Sequence, residues 1–168
     1  MSLSMYQASV PVFIRMLGSL STLLTKAAAS AEARKIDPSV LITARLSPDM
    51  FALARQVQIA SDSAKSGGAL LAGVEVPSFP DTETTFEELQ ARITKTVDFL
   101  KTLKAEQIDG SEERTVTLKM RTGDMNFPGQ TYLLNFVLPN FYFHLATAYG
   151  ILRHNGVEIG KMDFLGGI

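Results

Sequence analysis

The most constraining feature of the sequence is an apolar stretch of helical length that carries one polar pair in its middle. Leu133 to Leu152 reads LLNFVLPNFYFHLATAYGIL, and Asn140 and His144 lie four residues apart within it. On a helix this spacing places both side chains on the same face. The stretch therefore predicts a core helix whose inward face holds two polar groups.

A second polar pair with the same spacing, Gln58 and Asp62, lies beside the apolar stripe of another predicted helix. Two such pairs facing each other across a bundle would have the layout of a metal site in which most ligands are replaced. We therefore expect Asp62, Asn140 and His144 to converge on one polar pocket. Gln58 and Tyr149 are further candidates for lining a ligand pocket there.

The chemistry of these residues leaves two interpretations open. A neutral His144 imidazole could bind a metal, and Asp62 could act as a ligand or a general base. Alternatively, His144 hydrogen-bonds Asn140, Asp62 or a tyrosine, because buried polar groups need partners whatever their function. Asp62 could equally pair with Lys65 or Arg15 at the surface.

Hydrophobic periodicity and capping signals predict four long helices. Pro11 is compatible with the first only if the regular helix begins close to it. The expected helices run from Met5 to about Ala33, from a Ser47-Pro48 cap to about Leu71, from a Thr85–Glu88 capping box to about Gln107, and from about Gln130 to His154, closed by Asn155-Gly156. The intervening segments 36–46 and 74–84 are predicted connections.

One segment has the alternation of a β-hairpin. Val116, Leu118 and Met120 alternate with polar residues, and the sequence 122–124 (Thr-Gly-Asp) supplies a turn. We expect a hairpin over 115–127 with one apolar face on the bundle, and an extended tail docked by Phe164 and Leu165. The sequence therefore predicts one all-α domain over 1–168, a four-helix bundle with one small β-hairpin before the last helix.

Composition excludes several classes of protein. The 168-residue chain has no cysteine, which excludes disulfides and thiolate ligands, and its net charge of −1 gives no electrostatic reason to bind nucleic acid. It carries no nucleophile-elbow, phosphate-loop or H-E-x-x-H motif. With no secretory signal or membrane-spanning segment expected, a cytoplasmic location is predicted.

The last long helix is apolar almost all round. Phe136, Phe141, Phe143 and Tyr149 cannot all face one bundle core. Some of them should meet the hairpin, the tail or a partner, and we predict a homodimer.

Four segments of the chain resemble an uncharacterised domain-of-unknown-function family within the DinB/YfiT-like superfamily of four-helix bundles. They are QVQIASDSAK at 56–65, LAGVEVP at 71–77, YGILRHNGV at 149–157 and IGKMDFLG at 159–166. Metal-binding members of that superfamily use one histidine from the second helix and an H-x-x-x-H pair from the fourth. The resemblance places the pair at Asn140 and His144, and the second-helix histidine near Gln58 or Asp62.

The resemblance thus implies two different functions. The first is a non-catalytic or small-ligand-binding bundle that keeps the fold without a cofactor. The second is a divalent-metal-dependent enzyme of the thiol-transferase type, with zinc or nickel held by Asp62, Asn140 and His144.

Overall fold

Four long helices dominate the computed structural model, which describes residues 3–120 and 123–166. In chain order the elements are α1 (Val10–Ala33), α2 (Pro38–Ile42), α3 (Leu53–Ala72), α4 (Phe86–Thr102), α5 (Ala105–Ile108), β1 (Thr115–Met120), β2 (Gly123–Pro128), α6 (Gly129–Thr131), a π-helical turn (Tyr132–Val137), α7 (Leu138–His154) and α8 (Lys161–Leu165). The predicted fold, a four-helix bundle with one hairpin before the last helix, is confirmed.

The bundle is formed by α1, α3, α4 and α7. Both α1 and α3 pack against α4 and α7, so α1 and α3 lie diagonally across one contiguous core. Phe13 of α1 meets Phe141 of α7 edge to face at 5.3 Å, and Arg34 Nη1 donates to the Asn155 carbonyl at 2.8 Å. These contacts at both ends show that α1 and α7 run parallel.

Two adjacent glycines let α3 approach its neighbours closely. A Cβ atom on Gly67 would lie 2.6 Å from Val137 Cγ1, and one on Gly68 would lie 2.8 Å from Leu103 Cδ1. Such distances are too short for real carbon contacts. The glycines therefore set the spacing between α3 and both flanking helices.

Two predicted helix starts are wrong. The first helix begins at Val10 and not at Met5, because Pro11 fits only in its first turn. The second long helix begins at Leu53, since the Ser47 hydroxyl donates to Asp49 Oδ1 at 2.6 Å and caps no helix.

The connection predicted at 36–46 also contains a short helix. The Asp37 side chain accepts a hydrogen bond from the Ser39 amide at 2.9 Å, and Pro38 occupies the first turn, so α2 begins there.

The third long helix begins as predicted and ends early. The Thr85 hydroxyl accepts from the Glu88 amide, and Glu88 accepts from the Thr85 amide, which completes the capping box. The helix stops at Thr102 and not near Gln107, because Leu103 is extended and places its side chain in the core. The chain then forms the separate short helix α5.

Among the described residues of the hairpin, the buried side chain lies at its base. Val116 pairs with Phe127, and Val116 is buried whereas Met125, nearer the tip, is exposed. The Phe127 ring packs at a tilt against Tyr132 and Phe136, at about 6 Å between ring centres. The predicted turn includes Thr122, which lies outside the described residues.

The tail is helical where an extended chain was expected. The Lys26 ammonium pairs with Asp163 at 2.6 Å, and Asp163 also accepts from the Gly160 amide, which starts α8. Phe164 packs edge-on against Tyr149 at 5.9 Å. Docking of the tail through Phe164 is therefore confirmed.

The last long helix carries a wide turn immediately before Pro139. A proline has no amide hydrogen, and its ring collides with the carbonyl four residues earlier. Hydrogen bonds that span five residues over Tyr132–Val137 accommodate this defect. The predicted disturbance at Pro139 thus takes the form of a π-helical turn.

Among the described residues, α1 is the one helix long and apolar enough to suit a membrane span by length and composition. One face of α1 is buried in the bundle core, where Phe13, Leu17 and Leu20 are fully covered. It packs as the core helix of a compact fold. The cytoplasmic location stays a prediction.

The hairpin and the tail cover part of the apolar surface of the last helix. Leu134, Tyr142 and Phe143 stay exposed. The predicted homodimer would have to use this remaining surface, and it stays a prediction.

We expect Gly67→Ala to lower the free energy of unfolding by about 1–3 kcal/mol, because the stiff Val137 side chain cannot move aside. The matched control is Gly18→Ala, an exposed position of α1 with no atom within 4 Å of the added carbon. It should raise stability by up to about 1 kcal/mol through helix propensity. Chemical denaturation measures both, and equal stability of the two variants would contradict the close packing.

Candidate functional site

The centre of the candidate site is a hydrogen bond between α7 and α3. His144 is only 6% exposed, and its Nδ1 lies 2.7 Å from Gln56 Oε1. Gln56 Nε2 in turn donates to the Phe51 carbonyl at 2.9 Å, just before α3 begins. This second hydrogen bond fixes the Gln56 amide with its oxygen towards the imidazole.

This orientation determines the protonation of His144. An amide oxygen only accepts, so Nδ1 carries the proton and donates, and Nε2 keeps its lone pair. Burial, with a smaller contribution from the nearby Arg55 cation, holds the pKa of His144 below its ordinary value of 6.5. Within the described part of the chain, Nε2 accepts no hydrogen bond from a protein group, and it is not one of the fully buried atoms that lack a partner. The site therefore offers a neutral imidazole with a free acceptor nitrogen.

Asn140 joins the same helix–helix contact one turn earlier. Its Nδ2 donates to Ser63 Oγ at 2.8 Å, and that hydroxyl donates to the Ile59 carbonyl at 2.7 Å. The pairing of Asn140 with Ser63 and of His144 with Gln56 shows that α3 and α7 are antiparallel. The predicted shared face of Asn140 and His144 is confirmed.

Asp62 does not join them, and the expected convergence of Asp62 with Asn140 and His144 is wrong. Gln56 and Ser63 are seven residues apart and share one side of α3, whereas at 100° per residue Asp62 is turned about 120° away from Gln56. Asp62 instead lies 3.0 Å from Arg92 Nη2 of α4 and 2.8 Å from Lys65 Nζ. Of the two alternatives, the structure contains the pairing of Asp62 with Lys65, although the Lys65 side chain is buried and not at the surface.

Arg92 gathers three carboxylates, and we call Arg92, Asp62, Asp81 and Glu83 the Arg92 cluster. The Arg92 side chain is 1% exposed, and it lies 2.9 Å from Asp81 Oδ1 and 3.0 Å from Glu83 Oε1. Burial alone would lower the pKa of Arg92, but the hydrogen bond to Glu83 and the three negative charges raise it above its ordinary value. The guanidinium is therefore permanently charged and ties the 74–84 connection to α3 and α4.

Gln58 belongs to the surroundings of the Arg92 cluster. Its Nε2 donates to Glu83 Oε2 at 3.0 Å, and its Oε1 accepts from Arg55 Nη1 at 3.2 Å. Arg55 also pairs with Asp81. Gln58 was a candidate for lining the ligand pocket. Its side chain is instead hydrogen-bonded on the side of α3 that faces α4, away from His144.

Tyr149 is likewise separate from the imidazole. It is half-buried and packs against Phe164 of α8. Its aromatic contact is with the tail, and among the described residues it makes no hydrogen bond to Gln56 or His144.

The donor set does not fit a zinc or nickel ion. Asp62 is held by two cations, Asn140 directs its amide nitrogen at Ser63, and one imidazole remains. Neutral amides are poor ligands for these metals compared with imidazole or thiolate. Among residues 3–120 and 123–166, no group of three or more histidines and carboxylates is arranged to hold a metal.

Gln56 and Arg92 are the important residues that the sequence interpretation missed. Gln56 follows Leu53 by three residues and precedes Ala60 by four, so its position on the apolar stripe was visible. Arg92 lies between Leu89 and Ile93, both predicted core positions. A polar or charged residue at such a position needs a buried partner, and that requirement was the available signal.

Comparison with known proteins gives a consistent result. The model of DUF1993, a domain of unknown function, matches residues 5–165. The chain is similar to a DinB family member protein from Shewanella denitrificans, whose crystal structure was determined at 1.83 Å. The two share 40% identity with a TM-score of 0.90, over 97% of this chain and 92% of the other. No curated protein matches the chain.

The lowered pKa of His144 predicts a stability change with pH. The unfolded chain binds a proton near pH 6.5 and the folded chain only at lower pH, so the free energy of unfolding should fall as the pH drops below about 6.5. His144→Gln should flatten this slope between pH 7.5 and 5.5, above the range where carboxylates titrate. His154→Gln, at the exposed end of α7, is the control and should keep it. An unchanged slope in His144→Gln would contradict the buried neutral imidazole.

Loss of the buried guanidinium should release the 74–84 connection. We expect Arg92→Met to cost about 3 kcal/mol in unfolding free energy, since it leaves three carboxylates without their shared cation, although Asp62 and Asp81 still reach water. Lys101→Met removes a cation from an exposed pair with Asp98 and should change stability by less than about 0.5 kcal/mol. Hydrogen exchange over residues 78–84 should rise only in Arg92→Met. Unaltered exchange there would show that other contacts hold the connection.

Proposed function

We propose that this chain, which belongs to the DUF1993 family within the DinB-like superfamily of four-helix bundles, binds a small molecule without a metal. The observation that supports this proposal is the oriented imidazole of His144. Gln56 and Phe51 fix one ring nitrogen, and the other remains an unprotonated acceptor at the α3–α7 contact. Such a group binds a ligand through a directed hydrogen bond.

The polar residues around His144 favour binding over hydrolysis or transfer. Catalysis by an imidazole needs a second group that acts on the substrate, such as a nucleophile or a proton donor. Asn140 of α7 is hydrogen-bonded to Ser63 of α3, and His144 of α7 to Gln56 of α3. Gln56, Ser63 and Asn140 carry no charge. The site is therefore suited to recognising a molecule and has no evident partner for chemistry among the described residues.

The alternative is a divalent-metal-dependent enzyme of the thiol-transferase type. It would require Asp62 to leave Arg92 and Lys65 and to reach His144 from the opposite side of α3. Breaking those ion pairs would leave the buried guanidinium undercompensated, which costs several kcal/mol. No observation favours this alternative over a metal-free binding site.

Metal binding gives a direct test of the proposal. Zinc or nickel chloride at 100 µM should leave the Tm of the wild-type protein unchanged, because a ligand that binds the folded state would raise it by an amount that grows with the logarithm of its concentration over its Kd. Protein purified without chelator should contain well under one equivalent of metal. His144→Ala should have the same metal content as wild type.

One equivalent of metal in the wild type that disappears in His144→Ala would overturn the proposal and favour the metalloenzyme. A Tm increase that persists in His144→Ala would indicate metal bound elsewhere, and His154→Ala would then be the variant to compare.

A further inference from the structure

We propose that the ligand is a small, uncharged, mainly apolar molecule with one hydroxyl or N–H group, held where the 46–51 segment meets α7. The inference rests on the proposed function and names the class of molecule. Three features of the site support it: exposed apolar side chains next to His144, the absence of uncompensated charge, and an acceptor nitrogen without a donor.

The apolar features come from two directions. Leu46 lies over Gly150 of α7, with its Cδ1 atom 3.4 Å from where a Cβ would be. The backbone carbonyl of Phe51, at the other end of the same segment, accepts from Gln56, which bonds His144, and the Phe51 ring lies 5.9 Å from the Arg55 guanidinium. Phe143 meets the imidazole edge to face at 5.2 Å between ring centres. Phe143 is therefore the apolar side chain that lies against the imidazole, and the 46–51 segment brings Leu46 to α7 and the Phe51 backbone to Gln56.

These groups are unusually exposed for their size. Phe51 and Phe143 are each 55% exposed and Leu46 is 44% exposed, although the core of the bundle is fully covered. Large apolar side chains that remain in water next to a buried polar group are a common feature of ligand sites. An apolar molecule would cover them and gain the free energy of their burial.

The electrostatics of the site select against charged ligands. The sequence contains no lysine, arginine, aspartate or glutamate from Met125 to Leu152. Arg55 is the cation that acts on His144, and it is already paired with Asp81 and bonded to Gln58. A cation would be repelled by Arg55, and an anion would have to displace Asp81 to form an ion pair with it. A neutral molecule avoids both costs.

The imidazole specifies one polar group on the ligand. Nε2 can only accept, because the proton is on Nδ1, so the ligand must donate through O–H or N–H. A molecule of the same shape without a donor would leave Nε2 unsatisfied when water is expelled, and this would weaken its binding.

Phenol and anisole are matched probes for this inference, since they share a ring and differ in the hydroxyl hydrogen. Titration of the full chain at pH 7.5, followed by isothermal calorimetry and the NMR signals of His144, should show phenol binding at least fivefold more tightly than anisole. Benzoate, which carries a negative charge on the same ring, should bind more weakly than either.

Three variants separate the apolar contribution from the hydrogen bond. Phe143→Ala and Leu46→Ala should weaken phenol and anisole equally, several-fold each, because they remove apolar contact alone. Met162→Ala is the control, an equally exposed apolar residue on α8, and should change neither. His144→Phe should abolish the preference for phenol over anisole while the apolar contact remains.

The possible outcomes are distinguishable from failure of the proposed function. Equal affinity for phenol and anisole, or tightest binding by benzoate, would overturn the ligand class even if no metal binds. No binding of any probe, with a dimer by light scattering that dissociates in Phe143→Asp, would show that a second copy covers this face and would also overturn it. Stoichiometric metal at His144 would overturn the proposed function itself.

Discussion

The burial of one guanidinium, that of Arg92, decides which polar groups of the bundle remain free. A cation with 1% of its side chain exposed must be compensated, and three carboxylates from α3 and the 74–84 connection do this. Asp62 is one of them, so the side of α3 that carries it must face α4. The rotation of α3 about its axis is thereby set, and Gln56, on another side of the same helix, is directed at His144. The polar site on α7 depends on this charge compensation on the far side of its neighbour.

Local signals were enough to predict most of the fold, and they failed where two local options compete. The Thr85 capping box and the alternation around Val116 each depend on a few neighbouring residues, and both were readable from the sequence. Ser47-Pro48 has the pattern of a helix start as well. There the Ser47 hydroxyl bonds Asp49, and the Leu53 amide bonds the carbonyl of Ala44, so the chain makes a further loop before α3 begins. Sequence pattern alone does not decide between such bonds.

The candidate site shows a similar limit at the level of helix faces. A spacing of four residues correctly predicted that Asn140 and His144 share a face. The same spacing placed Gln58 and Asp62 together, and they are together, but towards α4. Periodicity reveals which residues share a side of a helix and not which neighbour that side meets. The partner of His144 was predictable from the position of Gln56 on the apolar stripe, or by asking how Arg92, at a core position, would be neutralised.

The wide turn before α7 has a consequence for the rotational phase of the whole helix. Bonds that span five residues over Tyr132–Val137 hold one residue more than a regular helical turn would. Loss of a single residue there would let the helix close as a regular α-helix, and everything beyond it would rotate by about 100° relative to the hairpin. The imidazole of His144 would then face a different neighbour, although the residues next to His144 in the sequence would be unchanged. The direction of this imidazole is therefore encoded in the length of a segment several residues before it in the chain.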